Sequence, residues 1–305
     1  MKVYAVIVTY NGAQWIDKCF NSLLKSSIPI TCVVVDNAST DNTVSLIKSN
    51  YPDVQIIENN SNMGFGGANN IGIRTALEND CDYIFLLNQD AWIEVNTIKE
   101  LVGYFHKVTN LGIISPLHLN GAGTALDRNF SKYIGPISNC MILSDCLIGK
   151  LKSFYQVEYI NCAAWLISAK CIKKVGGFDP VFFHYGEDVN YCHRVLYHGF
   201  SIGVTPNTRI WHDREDRGGG IREEFKALNE RRAELISFLN INSDSFKEEI
   251  GSRKAMCFKF FIKSLLKFNL KKAKFWIDSF MEYKKQEPIL IKSRELNIKG
   301  GAYLS

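Results

Sequence analysis

The chain has 305 residues, of which 46% are hydrophobic and 22% are charged, as is typical of a globular protein with a large core. This length fits one large α/β domain with an appendage better than two equal domains. The net charge is +5, but residues 251–305 carry 13 Lys and Arg against 4 Asp and Glu, whereas residues 1–250 carry 23 against 27. A near-neutral body with a basic tail excludes a nucleic-acid footprint over the whole protein, so we expect no nucleic-acid partner.

The cysteines indicate a reducing compartment. There are nine, scattered along the chain with no Cys-x-x-Cys pair, so neither a disulfide framework nor a structural zinc site is expected. The Met1-Lys2 start runs directly into a strand, so we expect no signal peptide. No stretch approaches the roughly 18 uncharged apolar residues of a spanning helix, and the cytoplasm is the predicted location.

Strands and helices alternate through the first 90 residues. Short apolar runs predict strands at residues 3–8, 31–35, 54–58 and 83–87, and helical periodicity predicts helices at about 13–25, from 39, and at about 67–79. This order predicts an α/β fold, Rossmann-like, with a mostly parallel sheet flanked by helices. Polar clusters follow these strands, at the sheet edge where such folds bind ligands.

The second half divides into two parts. Residues 113–211 are less regular and include a strand-like segment at 202–210, whereas the chain is largely helical from residue 223. We therefore predict a catalytic domain at residues 1–222 and a helical, basic, amphipathic extension at residues 223–305.

Two acidic motifs are candidates for chemistry. Asp90, in Asn88-Gln89-Asp90, ends a buried strand, where a carboxylate can hold Mg²⁺ or Mn²⁺ against a diphosphate. The alternative is an Asx turn. Glu187 and Asp188 open a helix amid aromatic residues, where a carboxylate can accept a proton from an attacking hydroxyl. The alternative is a favourable charge at a helix N-terminus.

Two further segments have both a ligand-binding and a structural interpretation. His212 follows the strand-like segment and could be either a metal ligand or a structural residue. The glycines after Arg217 suit a lid that closes over a bound ligand. Residues 62–70 form a glycine-rich loop before a helix, suited to close approach by a phosphate or ribose. A dinucleotide fingerprint is excluded, because it belongs after the first strand and its third glycine is missing.

Taken in order, the motifs resemble the inverting glycosyltransferases of family two, which have the GT-A fold. Within that family, the bacterial rhamnosyltransferase-like enzymes of polysaccharide assembly are the most similar. The resemblance covers roughly residues 3–215. It rests on Val8-Thr9-Tyr10-Asn11, Val35-Asp36-Asn37-Ala38-Ser39-Thr40-Asp41, Asn62-x-Gly64-Phe65-Gly66-x-x-Asn69, Asn88-Gln89-Asp90, Gly176-Gly177-Phe178-Asp179 and Gly186-Glu187-Asp188.

The resemblance implies a role for each matching residue. Asp188 would be the catalytic base, with Glu187 the competing candidate, and Asp90 and His212 would bind Mg²⁺ or Mn²⁺. Asn88 stands where the family's Asp-x-Asp has its first acid. Trp165 would line the sugar or acceptor site, with core packing as an equal alternative. The nucleotide-sugar site would contain Thr9, Tyr10, Asn11, Asp36, Asn62, Gly66, Asn69, Asn88, Gln89 and Trp165.

These roles predict an inverting transfer of a sugar from a nucleotide diphosphate to a glycan or polyprenyl-diphosphate-linked acceptor. The resemblance favours dTDP-rhamnose as the donor of this chain, with UDP-sugars next. A nucleotidyltransferase and an inactive nucleotide-sugar-binding module are the alternatives. Aromatic residues and a lysine stripe between Met256 and Met281 suit peripheral contact with the inner face of the cell membrane. Packing on the catalytic domain or on a second subunit, as in a homodimer, is the other interpretation.

Overall fold

The computed structural model describes residues 1–138, 140–214 and 223–304. The chain forms two compact units, Met1–Gly220 together with Gly300–Ser305, and Ile221–Lys299. The predicted lid at Arg217-Gly218-Gly219-Gly220 lies outside the described residues.

One sheet organises the first unit. Within the described part of the chain, its order is β3-β2-β1-β4-β8-β6-β9-β5, with β7 paired to β9. The strands are β1 (Val3–Thr9), β2 (Thr31–Asp36), β3 (Gln55–Glu58), β4 (Tyr83–Asn88), β5 (Ala91–Ile93), β6 (Leu111–Asn120), β7 (Tyr155–Val157), β8 (Ala164–Ser168) and β9 (Ser201–His212).

Helices connect these strands in the alternation that the sequence predicts for the first half. A short 3-10 helix, Ala13–Trp15, precedes the first of them, and another spans Pro136–Ser138. The α-helices of this unit are α1 (Ile16–Leu24), α2 (Thr43–Asn50), α3 (Gly64–Glu78), α4 (Thr97–Phe105), α5 (Phe130–Tyr133), α6 (Ile142–Leu147), α7 (Ala169–Val175) and α8 (Glu187–Tyr197).

The sheet is parallel in one half and mixed in the other. Strands β3, β2, β1 and β4 are mutually parallel. Strand β8 then pairs antiparallel with both β4 and β6, while β6 pairs parallel with β9. The expectation of a mostly parallel sheet therefore holds for the first four strands, and antiparallel strands complete the rest.

Apolar side chains on both faces of the central strands produce two cores. Because successive residues of a strand point to opposite faces, Ile84 and Leu86 of β4 enter one core and Phe85 and Leu87 enter the other. All four are at most 3% exposed. A strand covered on both faces explains why the sequence here is a continuous apolar run.

The second unit consists of helices α9 (Glu223–Phe238), α10 (Phe246–Leu266) and α11 (Leu270–Lys299). Among the described residues, no helix is both long enough and apolar enough to cross a bilayer.

The residues after α11 pack with the first unit. Gly177 N donates to Ala302 O at 2.8 Å, and Arg74 Nε donates to Leu304 O at 3.0 Å. The buried Arg194 guanidinium lies 5.2 Å from the ring centre of Tyr303. Residues 300–304 thus belong with the sheet, whereas the sequence-based division had placed them in the helical extension, because apolar periodicity gives no sign of such returning contacts.

Candidate active site

The carboxyl ends of β1 and β2 are joined by a buried hydrogen-bond cluster. Thr9 Oγ1 donates to Asp36 Oδ1 at 2.8 Å, and Ser39 donates to Asp36 through its hydroxyl at 2.6 Å and its backbone N at 2.8 Å. Asp36 is 2% exposed. Asp36 therefore fixes the loop after β2 relative to the end of β1.

Gln89 fixes the neighbouring loop after β1. Its amide accepts from Tyr10 N at 2.9 Å and donates to Tyr10 O at 3.1 Å. A Cβ at Gly12 would overlap the Gln89 amide, so a side chain here would displace Gln89 from its bonds to Tyr10. Asn11 Oδ1 accepts from Thr40 N at 2.8 Å, and the Tyr10 side chain is 47% exposed. Of these loop residues, Tyr10 presents a ring that can stack on a nucleoside base.

The glycine-rich segment is more structural than expected. Asn62 Oδ1 accepts from Gly64 N at 2.8 Å, and α3 begins at Gly64. Gly66 lies inside α3, where an added Cβ would stand 2.8 Å from Phe178 Cβ. Asn69 is 2% exposed and donates to Phe65 O at 2.9 Å. Gly66 thus permits close packing of α3 on Phe178, and the Asn69 amide bonds within α3, while their roles as ligand contacts stay predictions.

Trp165 also belongs to the core. Its ring is fully buried and lies 5.9 Å from Tyr191 and 6.4 Å from Phe178, centre to centre. The packing alternative applies, because an enclosed side chain cannot line a sugar site.

Strand register brings Asp90 and His212 together across 122 positions of sequence. Strands β5 and β9 are antiparallel with Ala91 opposite His212, so the residue preceding Ala91 lies beside the histidine. Asp90 Oδ1 is 3.3 Å from His212 Nε2, and Asn88 Nδ2 is also 3.3 Å from that nitrogen. The two predicted metal ligands and Asn88 therefore form one cluster at the end of β4.

Asp127 completes this cluster, and sequence analysis missed it. Its Oδ2 is 3.3 Å from His212 Nδ1 and 3.5 Å from Arg214 Nε, and its Oδ1 accepts from Phe130 N at 2.8 Å. Burial alone would raise the Asp127 pKa, but the His212 and Phe130 hydrogen bonds lower it overall. Asp127 is therefore an ionised, buried partner that holds the histidine ring. Only the spacing Asp127-x-x-Phe130, typical of a helix cap, marks it in sequence.

The cluster suits a divalent cation that also binds a diphosphate. Asn88 Oδ1 is buried and accepts no hydrogen bond from the described residues. Asp90 is 21% exposed at its side chain and can reach a ligand. Within the described ranges there is no group of three or more His, Cys, Asp or Glu side chains able to hold a metal, so phosphate oxygens would have to complete the coordination. Mg²⁺ and Mn²⁺ in nucleotide sites are commonly held in this way.

Asp188 is a carboxylate in an apolar setting at the start of α8. Its Oδ2 accepts from Tyr159 Oη at 2.8 Å and its Oδ1 from Val189 N at 2.8 Å. Burial raises the Asp188 pKa and outweighs these two hydrogen bonds, which lower it. A carboxylate with a raised pKa is a better proton acceptor, as a general base requires. Neighbouring Glu187 is 5% exposed and close to Gly66.

Tyr133 connects the two acidic groups. Its ring centre is 4.9 Å from that of Tyr159, the hydrogen-bond donor to Asp188. Burial is the main cause of its raised pKa, to which Asp188 and Asp127 both add and which Arg214 reduces. Tyr133 lies on α5, whose first residue, Phe130, donates its N to Asp127, so this short helix links the surroundings of Asp188 to the His212 cluster.

Comparison with known proteins decides the family. A family model described as Glycosyl transferase family 2 matches residues 4–172, more than half of the chain. The chain belongs to glycosyl transferase family 2. The predicted family, and with it the class of glycosyltransferases, is confirmed.

Two curated relatives of this family 2 member are sugar transferases by their names. The chain is 28% identical over 199 residues to the low-salt glycan biosynthesis hexosyltransferase Agl10 of Haloferax volcanii, covering 65% of this chain and 62% of that protein. It is 30% identical over 217 residues to the dTDP-rhamnosyl transferase RfbF of Shigella flexneri, covering 69% of this chain and 68% of that protein. The chain thus spans slightly less than two thirds of the Haloferax protein.

A solved structure confirms the GT-A fold of this family 2 chain. The mannosyltransferase PcManGT from Pyrobaculum calidifontis, in complex with GDP-Man and Mn²⁺, superimposes with a TM-score of 0.55 at 18% identity. The match covers 79% of this chain and 63% of that one. At 18% identity, what this structural similarity shows is a shared fold.

We expect the Asp127→Asn variant of this family 2 chain to bind Mn²⁺ about 10–100-fold more weakly in the presence of nucleotide. The Asp127 carboxylate lies 3.3 Å from His212 Nδ1 and so holds the ring in an orientation in which Nε2 faces Asp90 at 3.3 Å. An asparagine oxygen can still accept from Phe130 N, so the cap of α5 is kept. Calorimetry with Mn²⁺ would measure the change, with metal-free nucleotide affinity and the thermal midpoint as controls. Unchanged Mn²⁺ affinity would show that Asp127 does not position the histidine.

Proposed function

We propose that the chain is an inverting glycosyltransferase that moves a sugar from a nucleoside diphosphate donor to an acceptor hydroxyl in cell-surface polysaccharide synthesis. The observation that carries the proposal is the path through α5, where Phe130 N donates to Asp127 and Tyr133 packs on Tyr159, the hydrogen-bond donor to the partly buried Asp188. Asp127 in turn lies 3.3 Å from His212 Nδ1, and the same ring is 3.3 Å from Asp90. The name of the Shigella relative supports dTDP-rhamnose as donor, with UDP-sugars next.

The proposed reaction is a single in-line displacement. The acceptor oxygen attacks the anomeric carbon as its proton passes to Asp188, and the bond between that carbon and the diphosphate oxygen breaks on the opposite face. The sugar is transferred with inversion, and the nucleoside diphosphate leaves with the bonding electron pair. Tyr159 holds the Asp188 carboxylate in place through its 2.8 Å hydrogen bond.

The residues at the end of β4 would hold the divalent metal. Asp90 and His212 are the proposed ligands, with Asn88 Oδ1 as a further oxygen, and the metal when bound would stabilise the negative charge of the departing diphosphate. Support comes from the orphaned Asn88 oxygen and from the mixed oxygen and nitrogen donors, which suit Mn²⁺ as well as Mg²⁺.

The nucleoside would occupy the loops after β1 and β2. Tyr10 supplies an exposed ring, while Thr9, Asn11, Asp36 and Gln89 hold these loops through the bonds described above. Among these residues, Tyr10 is therefore the proposed direct contact.

A glycan or polyprenyl-diphosphate-linked acceptor, and peripheral association with the inner face of the cell membrane, are the proposed partner and location. The basic composition of residues 251–305 supports membrane contact. A lipid-linked acceptor would make such contact useful, since the acceptor hydroxyl then lies near the membrane surface.

Calorimetric titration with dTDP, UDP and GDP, with and without Mn²⁺, tests the donor site. We expect one nucleotide to bind preferentially and more tightly with Mn²⁺, and its sugar conjugates then to be turned over with saccharide acceptors. Binding without turnover of any donor would favour an inactive binding module. Absence of binding to all three nucleotides would overturn the proposed function.

A further inference from the structure

The segment around the turn between α10 and α11 is strongly basic. Residues 250–277 contain eight Lys and Arg and no Asp or Glu. A stretch of this length with one sign of charge attracts an anionic surface over a distance of about a Debye length.

The two helices form a hairpin with a defined turn. Residues 267–269 connect them, Phe268 adopts a left-handed φ of 52°, and Asn269 Oδ1 accepts from Lys272 N at 3.0 Å to cap α11. Between the helices, Phe260 stacks on Trp276 with ring centres 4.9 Å apart. The stacked rings of Phe260 and Trp276 therefore hold the two helices together near the turn.

Large apolar side chains project from this turn into solvent. Leu266 is 77% exposed, Phe268 is 91% exposed and Leu270 is 72% exposed. We call residues 266–270 the hairpin tip. Large apolar side chains gathered in solvent at one turn are typical of an interaction site. A left-handed φ is also conformationally costly for a phenylalanine that is 91% exposed.

Charge and shape together favour one occupant. The exposed Lys263, Lys267, Lys271 and Lys274 lie next to the apolar tip, and no acidic side chain lies between residues 250 and 277 to balance them. A phosphate-rich partner alone would match the lysines but leave the Leu and Phe side chains in water. An anionic bilayer satisfies both, because its headgroups meet the ammonium groups and its acyl boundary takes the apolar side chains.

We propose that the hairpin tip inserts into the acyl boundary of an anionic lipid bilayer while the neighbouring lysines contact the headgroups. The inference deepens the membrane association in the proposed function by naming the element that inserts. It does not depend on sugar transfer.

Vesicle co-sedimentation of the full chain tests the tip. The vesicles are phosphatidylcholine alone or with about one third phosphatidylglycerol, and the variant is Leu266→Ser with Phe268→Ser and Leu270→Ser. We expect wild-type protein to bind the anionic vesicles, and the tip variant to bind them at least about tenfold more weakly. The control variant, Leu147→Ser with Ile148→Ser, removes side chains that are 87% and 63% exposed in the first unit and should bind like wild type.

Insertion itself has a separate readout. Phe268→Trp adds a fluorophore at the apex, and vesicles with brominated acyl chains should quench this variant more than the wild type. Equal vesicle binding by wild type and tip variant, or no extra quenching, would overturn the proposal. So would a dimer in solution that the tip variant abolishes, because the tip would then bind a second copy. Nucleotide affinity, measured on the same samples, reports separately on the proposed function and should not change.

Discussion

Replacing Asp188 with Asn should lower kcat for sugar transfer by about two to four orders of magnitude, the usual contribution of a positioned general base. An amide cannot accept the acceptor's proton, yet it has nearly the same shape and can still accept the Tyr159 hydrogen bond. Nucleotide affinity should therefore stay close to wild type. Release of nucleoside diphosphate in the presence of acceptor would measure the loss.

Asp145 provides a matched control for this variant. It also accepts a tyrosine hydroxyl, Tyr155 Oη at 2.9 Å, but it lies on α6. Asp145→Asn should keep kcat near wild type. If Asp188→Asn retains activity and Glu187→Gln loses it, the base is Glu187, the alternative that the sequence left open.

The pH dependence of the wild-type enzyme follows from the same carboxylate. Burial raises the Asp188 pKa, and the base works only when deprotonated, so kcat/KM should fall as the pH drops through that raised pKa. The acidic limb should thus lie above the ordinary aspartate value of about 3.9. This limb should be absent from the residual activity of Asp188→Asn.

Replacing Asp90 with Ala should remove the stimulation of nucleotide binding by Mn²⁺. The side chain is the exposed carboxylate of the cluster, and its loss leaves His212 and Asn88 as the local donors. The expected loss of metal affinity exceeds the roughly 10–100-fold that removal of an outer partner costs. Calorimetry with the preferred nucleotide, with and without Mn²⁺, measures it.

The control for Asp90→Ala lies at the opposite end of the same strand. Asp82 precedes β4 and accepts from Lys2 N at 2.7 Å. Asp82→Ala therefore removes a carboxylate at the amino-terminal end of β4, away from the metal cluster. Its Mn²⁺ response should equal that of wild type. A full Mn²⁺ response in Asp90→Ala would place the metal elsewhere.

The parallel half of the fold was predictable because its signals are local. Each of the first strands is a short apolar run, and each is followed by an apolar stripe of helical period. The antiparallel position of β8 between β4 and β6 was not predictable in this way. That pairing depends on long-range contacts that leave no periodicity in a single strand.

The candidate site was predictable where a motif coincides with a strand end. Asp90 and His212 stand at such positions, and Asp188 was found through the acidic motif that opens α8. The sequence did not identify Asp127, the neighbour of His212, as a site residue because its contact with His212 depends on tertiary packing. Gly66, Asn69 and Trp165 show the opposite difficulty, because a glycine, an amide or a tryptophan in the sequence can equally serve packing inside the fold, where the structure places all three.

The return of residues 300–304 to the sheet constrains the order in which the chain can fold. Arg74 and Leu304, which share a hydrogen bond, are 230 positions apart, and Ala302 pairs with Gly176 and Gly177. During synthesis the N-terminal part of a protein emerges and begins to fold first. Here the sheet unit must wait, with these groups unbonded, until all three helices of the other unit have been made. The last contacts of the catalytic unit can thus form only after the helical unit has been synthesised.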